Sequence, residues 1–181
     1  MHPIMSFRPS RKRRRGGLAG RERDATTLLA VLLLAAGPAV AGGTSVGISS
    51  GQYGLRAGLP HELGFQVDLR APWQWGPVRP VLGVLAGSSG GGYLFTGLVL
   101  ELPLPGGFQV SPGFAPGIVL SQGDRDLGSP IEFRSSIEVS RQIVSPLRLF
   151  ISFSHLSNGG LTRHNPGVET LMLGFEVAPS G

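Results

Sequence analysis

Apolar and polar side chains alternate with a period of two along most of the chain beyond residue 42, and that period admits little except extended strands with unlike faces. Leu63, Phe65, Val67, Leu69, Ala71 and Trp73 fall on one face of such a strand, with Gly64, Gln66, Asp68 and Arg70 on the other. Leu94, Leu98, Leu100, Leu102 and Leu104 share a face in the same way, as do Phe108, Val110, Phe114, Ile118 and Leu120. Ile131, Phe133, Ile137 and Val139 alternate with Glu132, Arg134, Ser136 and Glu138. Runs 44–50, 63–73, 78–87, 93–104, 108–120, 131–139, 147–157 and 168–177 make eight expected strands, the number a small closed barrel needs. Run 78–87 alternates least cleanly. Pro112 and Pro116 lie inside an expected strand and cannot donate to a ladder, which predicts a bulge or irregular pairing there.

Charge decides what surrounds such a barrel. Residues 1–41 hold eight of the 16 Lys and Arg, whereas residues 42–181 hold eight Arg, nine acids and no lysine. An Arg-rich run from Arg11 to Arg15 could bind phosphates, but it precedes an apolar stretch over 26–36 and then Ala39-Val40-Ala41. A basic segment, an apolar segment too short to span a bilayer and a small-x-small site describe a secretory signal peptide instead. The expected organisation is a signal peptide at 1–41 and a single β-barrel domain at 42–181, with no nucleic-acid partner. With no cysteine in the chain, neither a disulfide framework nor a cysteine zinc site can form.

A soluble barrel turns charge outward. Here only 15% of residues are charged while mean hydropathy is +0.16, and acids and arginines share the polar faces, as Asp68 does with Arg70. Those faces suit a narrow lumen with paired charges, and the apolar faces suit lipid. The expectation is an all-β, eight-stranded antiparallel transmembrane barrel in the bacterial outer membrane. Asp68, Arg70, Glu132, Arg134 and Glu138 are expected as lumen ion pairs, and Tyr53, Trp73, Trp75, Tyr93 and Phe95 as an interfacial aromatic girdle. The terminal sequence lacks a final aromatic, so either Phe175 serves in its place or the assembly signal is atypical.

One stretch carries groups with chemistry, running from Ser154 to Glu169. Ester cleavage by a serine needs a base in reach and an acid that orients the base. His155 and Ser157, two apart on a strand, share a face, and a hairpin turning near Thr162 would return Glu169 opposite His155. His155 and Ser157 continue the parity of Leu149, Ile151 and Phe153, and Glu169 shares that of Leu171, Leu173 and Phe175. All three therefore belong to the outward, apolar face, where the accessible substrate is a lipid. Singly, His155 reads as a polar strand end, Ser157-Asn158-Gly159 and Asn165-Pro166-Gly167 as turns, and Glu169 as a solvated carboxylate. Their joint spacing and parity favour a site. A metal centre from His155, His164 and Glu169 is the weaker alternative, since no further ligand is evident.

His155, Ser157, Asn158, Gly160, Asn165, Gly167 and Glu169 together resemble the signature of the outer-membrane lipid A 3-O-deacylases, the PagL-type family. The resemblance implies an eight-stranded barrel with its catalytic serine on the outer wall, hydrolysing the 3-O-linked acyl ester of lipid A and releasing a 3-hydroxy fatty acid. Ser157 would be nucleophile, His155 base and then acid, and Glu169 the orienting carboxylate. Asn158 and the Gly160 N–H would supply oxyanion donors, and Asn165 and Gly167 would shape the loop, with Arg163 near anionic headgroups. No cofactor is implied. Lipopolysaccharide and outer-membrane lipids are the expected partners, and a homo-oligomer is compatible. Two alternatives stand beside this reading, a non-catalytic structural or adhesive barrel and an esterase acting on phospholipid.

Overall fold

The computed structural model describes residues 43–55 and 62–178. The expected signal peptide lies outside the described residues. Eight long strands carry the alternating sequence: β1 (Ser45–Tyr53), β2 (Glu62–Arg70), β3 (Val78–Gly87), β4 (Gly91–Leu100), β6 (Phe108–Gln122), β7 (Ile131–Val144), β8 (Leu147–Ser157) and β9 (Val168–Val177). A two-residue strand, β5 (Leu102–Pro103), and a short 3-10 turn at Pro105–Gly107 lie in the connection between β4 and β6. Each long strand pairs antiparallel with its sequence neighbour, β1 also pairs with β9, and β4 with β6, so the sheet closes into an eight-stranded barrel with no free edge.

The side chains sort as their parity requires. Leu63, Leu98, Phe114, Ile118, Ile137, Ile151, Phe153, Leu171, Leu173 and Phe175 are exposed on the outside. So large an apolar belt fits hydrocarbon rather than water. No helix among the described residues is long and apolar enough to cross a membrane, as expected for a chain that crosses with strands.

The lumen is filled and two-sided. On one side Arg70 is buried among Glu138 at 2.7 Å, Glu176 at 3.4 Å, Glu101 at 3.6 Å and Asp68 at 3.9 Å. Gln66 donates to Asp68 and accepts from Arg134. The expected lumen pairs of Asp68, Arg70 and Glu138 are therefore present, enlarged by Glu101 and Glu176. Glu132 is inward as well, and its backbone carbonyl accepts a 2.9 Å bond from the Tyr93 hydroxyl.

On the other side Val81, Leu85, Tyr93, Phe95, Val99 and Ala115 form an apolar wall inside the barrel. This corrects the expected girdle. Trp73 and Trp75 are exposed, but Tyr53, Tyr93 and Phe95 are buried: the parity of Tyr93 and Phe95 opposes that of Leu94 and Leu98 on β4, and that of Tyr53 opposes that of Ile48 on β1. Glycines on adjoining strands make room for the rings: a Cβ on Gly83 would meet Phe95, and one on Gly117 would meet Tyr93. The apolar inner wall also explains why run 78–87 alternates poorly, since Val81 and Leu85 face inward while Leu82 faces lipid.

The irregular pairing expected at the prolines is found on one side of β6 only. The ladder between β6 and β7 keeps one register from Phe108 to Ile118, straight through Pro112 and Pro116. Successive N–H groups of a strand point to alternate neighbours, so two prolines four apart lose donors on the same edge. That edge faces β4, where no partner is recorded for Pro112 or Pro116, while the shift in register falls instead at Gly92/Tyr93.

The up-and-down order brings the end of β1, the start of β2 and connections 88–90, 123–130 and 158–167 to one end of the barrel. Those over 71–77, 101–107 and 145–146 lie at the other, with the start of β1 and the end of β9.

Candidate active site

β8 and β9 form a hairpin whose register pairs Leu147 with Val177 and, eight pairs later, His155 with Glu169, then Leu156 with Val168. Antiparallel partners project their side chains to the same face, so the imidazole and the carboxylate meet on the outside of the barrel. His155 Nδ1 lies 3.1 Å from Glu169 Oε1. A carboxylate on Nδ1 holds the proton there and leaves Nε2 as the acceptor. The two side chains are 40% and 17% exposed, reachable from outside without opening the barrel. Ser157 follows His155 by two residues on the same face and faces Phe133 across the β7–β8 ladder.

The loop after Ser157 turns on glycines. Gly159, Gly160 and Gly167 all adopt positive φ, at 62°, 85° and 64°, which side chains with a Cβ rarely tolerate. Gly167 carries a second constraint, for a Cβ there would sit 2.9 Å from His155 Cε1. The loop therefore packs its backbone against the imidazole, and only glycine leaves the ring its place.

Asn158 is fully buried and holds the loop from within. Its Nδ2 donates to Thr162 Oγ1 and to the His164 carbonyl, both at 2.9 Å, while its Oδ1 accepts from the Gly160 N–H at 3.0 Å. Its own N–H donates to Asn165 Oδ1 at 3.1 Å. The two groups expected as oxyanion donors, the Asn158 amide and the Gly160 N–H, are thus bonded inside the loop, because a short chain folding back on a buried amide satisfies its donors locally. Asn165 and Gly167 lie in the same loop, the first accepting from the Asn158 N–H and the second against the imidazole.

Sequence reasoning missed the brace behind this loop. The connection between β6 and β7 packs against it: Thr162 Oγ1 donates to the Gly128 carbonyl at 3.0 Å, and Asn158 Nδ2 reaches the Leu127 carbonyl at 3.4 Å. Gly128 has φ 84°, and a Cβ on it would strike the His164 carbonyl. The side chain of His164 also lies against Gly128, and Arg163 is exposed. Among the described residues no three His, Asp or Glu side chains are grouped as a metal ion would require.

A half-buried serine two residues from an imidazole that meets a carboxylate, on a face otherwise clothed in apolar side chains, is an arrangement suited to acyl transfer from an amphiphile. Known proteins share this barrel. The chain matches the crystal structure of the outer-membrane enzyme PagL with a TM-score of 0.58 at 19% identity, covering 74% of this chain and 98% of that one. It matches Neisserial surface protein A with a TM-score of 0.56 at 12% identity, covering 75% and 97%. At such identities both matches speak for the barrel fold alone. No curated protein sequence matches significantly. A family model described as lipid A 3-O-deacylase (PagL), however, matches residues 51–178, which include every residue of the site, and the chain accordingly belongs to the lipid A 3-O-deacylase (PagL) family.

Proposed function

We propose that this protein is a serine esterase of the bacterial outer membrane that hydrolyses the 3-O-linked acyl ester of lipid A and releases a 3-hydroxy fatty acid. The observation that carries the proposal is the outward His155–Glu169 bond beside Ser157, on a wall that meets acyl chains. Ser157 Oγ attacks the ester carbonyl carbon while His155 Nε2 takes its proton. The tetrahedral intermediate collapses, the bond to the sugar oxygen breaks, and the imidazolium protonates that oxygen. Water, activated by the same imidazole, then cleaves the acyl-serine, releasing the fatty acid and restoring Ser157. Glu169 keeps the imidazole in the productive tautomer and stabilises its charged form.

Serving an oxyanion would require the Asn158 amide or the Gly160 N–H to exchange an internal bond for one to substrate, so we assign Asn158, Gly160, Asn165 and Gly167 to loop support. The site's end of the barrel carries three connections of eight or more residues, and long connections in such barrels face the cell exterior. Lipid A of the outer leaflet then lies level with Ser157.

The purified barrel in detergent micelles with lipid A supplies the test. Released 3-hydroxy fatty acid is measured for the native protein and for Ser157→Ala at equal folded concentration, folding being checked by heat-modifiable gel migration. Release by the native protein alone supports the reading. Equal release by both, or by neither, refutes it.

A further inference from the structure

The register that sets Glu169 on one flank of His155 sets another residue on the other. Ser135 of β7 pairs directly with His155, so it too points outward, and it is exposed. It breaks an otherwise apolar outward stripe on β7, where Ile131, Phe133, Ile137 and Val139 hold the remaining outward places between residues 131 and 139. On its far side Ser135 pairs with Phe114, and Phe114 stacks on Phe133 with ring centroids 6.0 Å apart. Phe153 and Ile137 pair one step further from the loop. The result is a small polar position floored by Ser135 and rimmed by Phe114, Phe133, Ile137 and Phe153.

A hydroxyl aimed at hydrocarbon gains nothing from the bilayer, where it forfeits its hydrogen bonds to water. Beside a site for an acyl ester it gains a partner if the acyl chain itself carries a hydroxyl close to the carbonyl. The distances suit carbon 3. Ser135 and Ser157 are diagonal neighbours on facing strands, about 7 Å apart between Cβ atoms. An acyl carbonyl under attack by Ser157 places the oxygen on carbon 3 only three bonds further along, while the aromatic rim takes the rest of the chain.

We propose that Ser135 is a specificity residue that hydrogen-bonds the hydroxyl on carbon 3 of the departing acyl chain, so that the enzyme selects 3-hydroxyacyl esters over plain acyl esters. The inference rests on the esterase reading above and deepens it.

Two synthetic glucosamine monosaccharides, identical except that the 3-O-acyl chain has or lacks its hydroxyl, are offered in mixed micelles to the native barrel and to Ser135→Ala, Ser135→Thr and Ser157→Ala. The native protein should favour the hydroxyacyl ester in kcat/KM by about tenfold, the worth of one net hydrogen bond. Ser135→Ala should lose that preference by slowing on the hydroxyacyl ester alone, and Ser135→Thr, which keeps a hydroxyl, should restore it. A native preference that survives in Ser135→Ala, or a slowing equal on both esters, overturns the specificity role while leaving the esterase reading intact. Cleavage by Ser157→Ala, or by no variant of either ester, overturns both.

Discussion

Two regions of this barrel concentrate ionisable side chains and use them in opposite ways. In the lumen Arg70 is only 3% exposed and faces four carboxylates. It is enclosed by these partners inside the barrel, so its contribution is to the barrel itself. At the outer edge of β8 and β9 a single carboxylate meets a single imidazole, the latter 40% exposed, with a serine alongside. The same kinds of group that lock the interior are left reachable on the wall. Burial and pairing multiplicity, rather than residue type, separate structural charge from chemical charge in this fold.

Variants that disturb one region should leave the other unmoved. The largest effect is expected for His155→Asn, which removes the proton acceptor and should lower kcat by about 10⁴-fold with the barrel's unfolding unchanged. Fatty-acid release against the denaturant midpoint in detergent checks both halves of that statement. Arg70→Leu leaves Glu138 and Glu176 buried without their cation and should cost about 4 kcal/mol of stability. Its activity per folded molecule should stay within about twofold of the native value, since distant sites that share no partners seldom couple. A large loss in the folded fraction would join two regions that the geometry keeps apart.

Glu169→Gln should reduce kcat by about 10²-fold, because the amide neither fixes the imidazole tautomer nor balances its charge. Steady-state kinetics should show the loss in kcat rather than in KM. The smallest effect is expected for Gly167→Ala. Positive φ and the approach to His155 Cε1 should together cost about 1–2 kcal/mol, read as a roughly tenfold fall in kcat from a displaced ring. The unfolding midpoint should fall modestly with the same strain, since Gly167 is buried against the imidazole.

Much of this was legible in the sequence because a strand has only two faces. Parity alone places His155, Ser157 and Glu169 outside and Asp68, Arg70 and Glu138 inside, and a hairpin of the observed length sets Glu169 across from His155. Parity also argued against an outward Tyr93 and Phe95, yet their aromatic character suggested a girdle. The reason for their burial is spread over Gly83 and Gly117, on other strands, which no local pattern connects to them. The brace from Gly128 to Thr162 was hidden for the same reason, since it joins two loops 34 residues apart. Glu176 could have been assigned to the lumen by its alternation with Phe175 and Val177. Glu101, lying between β4 and β5 where the alternation stops, could not.

The proposed triad is tested most directly in the membrane where it is expected to act. Lipid A is extracted from cells producing either the native protein or Ser157→Ala at equal outer-membrane levels, and tandem mass spectrometry locates the acyl chains. The account predicts lipid A short of one 3-hydroxyacyl chain, missing from a 3-position, only where Ser157 is intact. Lipid A unchanged in both strains, or deacylated in both, would contradict it.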